Sequence, residues 1–566
     1  MKALRLLLVA VFAFAGEPSA AAGAAIASAQ PLATAAGAEI LDRGGNAFDA
    51  AIAVAATLGV VEPYNSGLGG GGFFLLHRVA DGHETVIDAR ETAPAAAHRD
   101  MYLDAKGEVI ARASLDGALA AAIPGLPAAL VYLASHYGRL PLRLSLAPAI
   151  RAARHGFPVS PIYRERAQGR LAALRADPAA ARTFLVDDEA PPLGHCLIQD
   201  DLATALADLA VGTFFDERRI TAWAQAVQAA GGIWQPRDLL TYRVIERSPL
   251  YGGYHGMRVT SVPPPSSGGV VLIQALNLLA AYDLDGLDVV TRAHLIVEAL
   301  RRAYRDRAIY LGDPGHVKVP MRKLTGADHA RQQGRSIAID RATPSAELGD
   351  TGPATEAAGH TTHFSIVDAE GNRVAATLSL NAPFGSAYMA SGTGILLNNE
   401  MDDFSLKPGA PNLYGLVGAE ANAIAAGKRP LSSMTPAFLE MDGRVAVLGT
   451  PGGSRIISMV LLAALDFAAR RPPASWVTLP RFHHQYLPDV IQFEPGAFTG
   501  HDQTGLRRLG HALQPLANDY GNMQAIQIDA RGPTAAADPR GEGLAAVVGN
   551  DPGIPGVVNP CLAVAN

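Results

Sequence analysis

Apolar and polar positions along the chain recur with two different periods, and each change of period marks an element. Over residues 34–59 the spacing predicts two helices. Ala35, Ile40 and Leu41 form a first apolar face, Gly44-Gly45-Asn46 interrupts it, and 49–58 supplies an Ala-rich helix suited to burial. Residues 73–77 and 85–88 read as strands, with Asp81-Gly82 as the turn signal between them. From about 115 to 240 the pattern is mostly helical, punctuated by Pro and Gly. It returns to strand over 254–262, then to helix over 270–282 and 292–310. In the last of these Leu295, Ala299 and Ala303 separate from Glu298 and Arg302.

Residues 342–359 hold no apolar period; Ala, Thr, Pro, Ser, Gly and Glu dominate, as in an exposed connector. Directly after it, 361–368 begins a strand, 369–372 turns, and 373–380 runs back, which is a β-hairpin by period and turn chemistry. Another strand pair, 437–441 and 445–448, flanks Asp442-Gly443. No fixed-period repeat is present. Strands at both ends of a helical middle predict an α+β protein of layered helices and sheets, the sheets mainly antiparallel.

Composition narrows the field. The 566 residues are 49% hydrophobic and 18% charged, which supports a large core and excludes global disorder. Lys+Arg 47 against Asp+Glu 53 leaves a net charge of −6, so nucleic acid is not an expected partner. Two cysteines, Cys196 and Cys561, are too few for a disulfide scaffold or a thiolate metal cluster. An oxidising compartment would allow them to pair, and the sequence leaves open whether they meet. Lys2 and Arg5 precede the apolar run 6–15 and then small residues, the pattern of a secretory signal peptide ending near residue 20. That run is shorter than the ~20 residues of a spanning helix. A periplasmic or secreted protein without stable membrane insertion is the expectation.

Several motifs have two readings each. Gly67-Leu68-Gly69-Gly70-Gly71-Gly72 matches GxGxxG, but a helix precedes it and a strand follows, the reverse of a dinucleotide loop. Close backbone packing is the better reading. His360, His363 and His483-His484 lack further ligands at a known metal spacing. Gly452-Gly453 precedes a helix start and could present N–H groups to an oxyanion, or form a turn. Ser432-Ser433 could bind a carboxylate or cap a helix; Asp402-Asp403 could hold an ammonium group or form a solvated turn. Arg90 could clamp a carboxylate through its planar fork, or make an ordinary ion pair.

Taken together, these segments resemble the γ-glutamyltranspeptidase (glutathione hydrolase) family from about Pro31 to Arg540. The resemblance is carried by 44–52, 61–71, Arg90-Glu91-Thr92-Ala93-Pro94, 263–269, Thr361-Thr362-His363-Phe364-Ser365, 398–405, 428–434 and 451–455. It implies an N-terminal-nucleophile hydrolase with a four-layer αββα sandwich. The precursor would cut itself between His360 and Thr361, giving a large chain, 21–360, and a small chain, 361–566, that together build one domain. Thr361 would be the nucleophile and its freed α-amine the base. Arg90 and Ser432-Ser433 would hold the α-carboxylate of a γ-glutamyl group, and Asn381, Glu400 and Asp403 its ammonium. Gly452 and Gly453 would form the oxyanion hole. No metal or organic cofactor is implied.

Three positions depart from the family pattern. His360 stands where some members carry Gln. Ser379 replaces a Thr that assists the nucleophile in bacterial relatives. Glu400 takes a position that is Gln or Glu among them. Residues 407–418 look like the lid loop of part of the family, with Tyr414 as its gate, which favours small substrates such as glutathione. Rival readings are a glutaryl or cephalosporin acylase on the same scaffold, and an unprocessed binding protein. The tail after Arg540 matches no part of the resemblance.

Overall fold

The computed structural model describes residues 23–349, 361–549, 554 and 557–563. The expected signal segment, 1–20, and His360 lie outside the described residues. In chain order the elements that build the layers begin with β1 (Ala24–Ser28), α1 (Pro31–Asp42), α2 (Ala47–Val61), β2 (Gly71–Arg78) and β3 (His83–Ala89). Helices α3 (Leu142–His155) and α4 (Asp200–Val211) follow, then β4 (Ile245–Arg247), β5 (Leu250–Tyr254) and β6 (Met257–Ser261). Next come α5 (Gly268–Leu279), α6 (Val289–Tyr310), β7 (Thr362–Val367), β8 (Arg373–Ser379), β9 (Ala437–Met441) and β10 (Arg444–Gly449). The chain closes with α7 (Ile456–Ala468), β11 (Gln524–Asp529), β12 (Gly532–Ala537) and β13 (Leu544–Val548).

Two sheets result. One has seven strands in the order β13-β1-β7-β8-β2-β3-β4, the other six in the order β12-β11-β10-β9-β6-β5. Every pairing inside these two sheets is antiparallel.

The strand period of two explains the layering. On β2, Phe74 and Leu76 join a core with helices α1 to α4, together with Phe364 and Ile366 of β7. Their neighbours Phe73 and Leu75 point the other way and meet Phe438, Val447 and Ile526 of the second sheet. On that sheet Leu439 and Leu448 turn outward to α5, α6 and α7. Both faces of each sheet are therefore apolar, and helix–sheet–sheet–helix is the arrangement that buries all four.

Three features depart from the sequence reading. The strand expected over 254–262 is the end of a hairpin, because His255 (φ 45°) and Gly256 (φ 85°) turn the chain back. Strand β1 was not anticipated: Ala-Ala-Ile-Ala-Ser carries too little contrast to show a period, yet all five residues are buried. The unplaced tail is structural. Its β13 pairs along the whole of β1, and Cys561 is disulfide-bonded to Cys196.

The glycine run before β2 packs backbone on backbone. A Cβ on Gly70 would lie 2.1 Å from the Ser379 carbonyl oxygen, and one on Gly71 2.2 Å from that of Ala89. The reading of this run as a close-approach segment holds.

Candidate active site

Thr361 stands one residue ahead of β7 and is buried. The β7–β8 ladder ends with Thr362 opposite Leu378, so the register carried one step further sets Ser379 across from Thr361. Ser379 Oγ accepts the Asn381 N–H at 2.7 Å, which holds Asn381 at φ 77°, a left-handed conformation that Asn tolerates. One residue further on, the Thr362 hydroxyl donates to Glu62 Oε2 at 2.8 Å. Burial pushes the Glu62 carboxyl up to about 7, against the Thr362 hydrogen bond.

Beyond β10 the chain reverses at Gly452 (φ 141°) and Gly453 (φ 57°) and enters the turn Gly453–Arg455 that starts α7. The first donors of such a turn have no partners within it and are free to face a ligand oxygen.

Arg90 follows β3. Its backbone is fixed on both sides: its N–H donates to Asp88 Oδ1 at 2.9 Å, and its carbonyl accepts the Tyr242 hydroxyl at 2.8 Å and Arg429 Nη1 at 2.6 Å. Its guanidinium is 1% exposed and meets Glu400 at 2.6 Å, Asp403, and Glu91 at 3.4 Å. Burial works against the Arg90 charge, but Glu400, Asp403 and Glu91 outweigh it and hold the group above its usual range. Burial raises Glu400 well above the carboxylate range despite Arg90, and lifts Glu91 to about 7. Neither Glu400 oxygen accepts a hydrogen bond among the described residues, although Glu400 is only 1% exposed. The 3-10 turn Glu400–Asp403 is placed by Asn398, whose Oδ1 accepts the N–H groups of Ala122 and Glu400, both at 3.0 Å.

These groups surround a small cavity of about 20 Å³. The singled-out site residues among those described line it, except Gly452, whose neighbour Gly453 does; Leu416, Met434 and Ile456 complete the wall. Tyr414 is buried against it: its hydroxyl donates to the Asn381 carbonyl at 2.7 Å. The loop before it is pinned through the Leu413 N–H to Asp402 Oδ2 at 2.8 Å and Asn412 Nδ2 to Asp403 Oδ1 at 3.2 Å. Asp402, read only as half of an acidic pair, thus anchors the loop.

One arrangement was not foreseen. The groups assigned to opposite ends of a ligand, Arg90 against Glu400 and Asp403, pair with each other, because buried opposite charges compensate one another. Sequence reasoning also gave no role to Glu91 or Glu62, although both lie inside quoted motifs. It missed Arg307 of α6 entirely, since no local pattern marks it. His294, Glu298 and His511 gather three potential metal donors outside the cavity. Glu298 is spent on Arg301 and Arg302, and the two imidazoles hydrogen-bond to each other at 2.8 Å. His483 and His484 are likewise taken, by Ser458 and by Asp489.

A four-layer sandwich with a threonine at the head of a central strand defines the class of N-terminal-nucleophile hydrolases. Comparison with solved structures agrees. A cephalosporin acylase from Bacillus halodurans superposes with a TM-score of 0.82 at 27% identity, covering 95% of this chain and 99% of that one. A chain of Helicobacter pylori γ-glutamyltranspeptidase gives 0.55 at 34% identity, covering 56% of this chain and 93% of that one. The γ-glutamyltranspeptidase family model matches residues 33–548, and the chain belongs to that family. Among curated relatives it is similar to the glutathione hydrolase proenzyme of Escherichia coli (strain K12), with 40% identity over 526 residues, 91% of this chain and 90% of the relative.

Proposed function

We propose that this protein is a self-processing γ-glutamyl hydrolase and transferase acting on glutathione and related small γ-glutamyl compounds. The observation that carries the reading is the cavity itself, lined by Thr361, Gly453, the buried Arg90 and Glu400, Asp403 and a pair of serines. A γ-glutamyl group carries a carboxylate and an ammonium on one carbon. Arg90, Ser432 and Ser433 bind the first, and Asn381, Glu400 and Asp403 the second. The zwitterion then replaces the internal ion pairs with its own, so both buried charges stay compensated. The γ-carbonyl is left at Thr361.

In the precursor the Thr361 hydroxyl adds to the His360 carbonyl, the peptide C–N bond breaks as the Thr361 nitrogen takes up the proton, and water then hydrolyses the resulting ester, leaving a carboxylate on His360 and a free hydroxyl and amine on Thr361. The freed Thr361 amine, with a reference pKa of about 7.7–8.0, becomes the base for the hydroxyl on the same residue. That hydroxyl adds to the γ-carbonyl while its proton passes to the amine, and the Gly452 and Gly453 N–H groups receive the oxyanion. The C–N bond to the leaving amine breaks as the amine takes up the proton, and a γ-glutamyl ester remains on Thr361. Water, or an amino-acid or peptide amine, then resolves it. Tyr414 and residues 407–418 cover the site and restrict it to small donors, and Ser379 orients the Thr361 hydroxyl.

The chain products, 21–360 and 361–566, stay together because neither owns a complete sheet. Strands β7 and β8 of the small chain lie between β1 and β2 of the large one. Export to the periplasm or medium, after loss of 1–20, fits a structure in which no helix of the described residues is long and apolar enough to cross a membrane.

A glutaryl or cephalosporin acylase is the second reading, favoured by the likeness to the Bacillus halodurans enzyme. A glutaryl group has no amine, and its carboxylate would draw Arg90 from Glu400 and Asp403 without supplying a cation in exchange. Sequencing the N-terminus of the small chain tests the processing, with Thr361 as the expected first residue. Turnover of γ-glutamyl against glutaryl anilide tests the substrate, and faster glutaryl hydrolysis overturns the assignment. A single uncut chain with no turnover would favour the binding protein.

A further inference from the structure

Arg307 lies near the C-terminal end of α6, is 5% exposed, and pairs with no carboxylate among the described residues. It does not line the cavity at Thr361. Its Nε donates to Ser267 Oγ at 2.9 Å, and its Nη2 donates to Ser433 Oγ at 3.3 Å. Ser267 in turn donates its hydroxyl to the Ser432 carbonyl at 2.7 Å, and the Ser267 N–H reaches the same oxygen at 2.8 Å. The Ser432 hydroxyl oxygen accepts the Met434 N–H at 3.1 Å. Both cavity serines are therefore acceptors toward the protein interior, and neither hydroxyl proton has an acceptor among the described residues.

We infer that Arg307 is a positioning residue for substrate-carboxylate recognition: it engages the Ser433 oxygen from behind and, through Ser267, fixes the Ser432 backbone, so that both hydroxyls face the cavity as donors. The inference rests on the donor assignment above and deepens it. A hydroxyl oxygen occupied by a charged donor directs its proton away from that donor. A carboxylate in the cavity then meets two hydroxyl donors and the Arg90 fork, with a second buried positive charge one side chain further back. Burial pulls Arg307 down to about 10, so it remains protonated at neutral pH.

The test uses the processed enzyme and three competitive inhibitors of γ-glutamyl anilide turnover. Glutamate carries both recognition groups, glutarate lacks the amine, and 4-aminobutyrate lacks the α-carboxylate. Arg307→Met is expected to weaken glutamate and glutarate by roughly tenfold or more. It leaves 4-aminobutyrate within about twofold and raises the anilide KM far more than it lowers kcat. Arg307→Lys restores part of the loss, and Ser267→Ala, which removes one of the two contacts without removing the cation, shifts the same two inhibitors less. Equal weakening of all three ligands, or no change in any, overturns the role of Arg307. Failure of the unaltered enzyme to bind glutamate overturns the donor assignment and this role with it.

Discussion

The two ends of the cavity are built on different principles. The proposed reacting end carries no charged side chain: the Thr361 and Ser379 hydroxyls and Gly453, set by the start of one strand, the end of its neighbour and the head of a helix. The proposed recognition end is charged, with Arg90, Glu91, Glu400 and Asp403 held within ion-pair distance and Arg307 behind the serines. A nucleophile needs position and a weak base, which backbone register supplies at little electrostatic cost. A zwitterion needs buried charges, and these persist only where each is compensated. The reacting end should therefore be sensitive to single atoms, and the recognition end to charge balance.

The largest expected effect is at the first end. Thr361→Ala should abolish chain cutting on a denaturing gel and lower anilide turnover by at least about a thousandfold. Cutting at the normal position by this variant would erase the distinction between the two ends. Next, Arg90→Met leaves Glu400 and Glu91 buried without their cation, at a cost of roughly 3–5 kcal/mol in unfolding free energy. Carboxyls whose folded pKa is raised bind more protons folded than unfolded, so stability falls as pH rises through that interval. Acidification from neutrality should therefore recover part of the loss, and a deficit independent of pH would show that the acids are solvated.

Glu62 sharpens the contrast, because it is an acid touching the reacting strand. Its folded value is raised from 4.5 to about 7. The penalty is absent below the lower value, grows between the two and is complete above the higher one. Glu62→Gln should thus gain stability relative to the parent between pH 5 and pH 8, by up to about 3 kcal/mol. A difference that stays flat across that range would mean Glu62 ionises freely. The smallest effect is expected from Cys196→Ser, since neither cysteine lines the cavity. Turnover should stay within about twofold. The processed parent should run as one band without reductant and two with it, and the variant as two in both; two bands from the unreduced parent would contradict the pairing of Cys196 with Cys561.

Legibility followed sequence distance. The hairpin around Gly371, the helices α2, α5 and α6 and the close-packed glycine run could be read because period and turn chemistry act over a few residues. The strand β1 could not, since five small residues give no contrast, and its partner β13 lies in a tail that no motif marks. The site residues were named through motifs, but not how they meet: Arg90 and Asp403 are 313 positions apart, and Arg307 and Ser433 are 126 apart.

By itself, then, the sequence determined the kinds of element, the hairpin that begins at Thr361, and the set of residue types suited to an amino-acid-like ligand. Only the tertiary structure decided that Arg90 pairs with Glu400 and Asp403, that Arg307 stands behind Ser433, and that Cys196 reaches Cys561. The reason is physical. Local propensity selects an element within one or two turns of chain, whereas the compensation of a buried charge depends on which distant surface the packed layers bring against it.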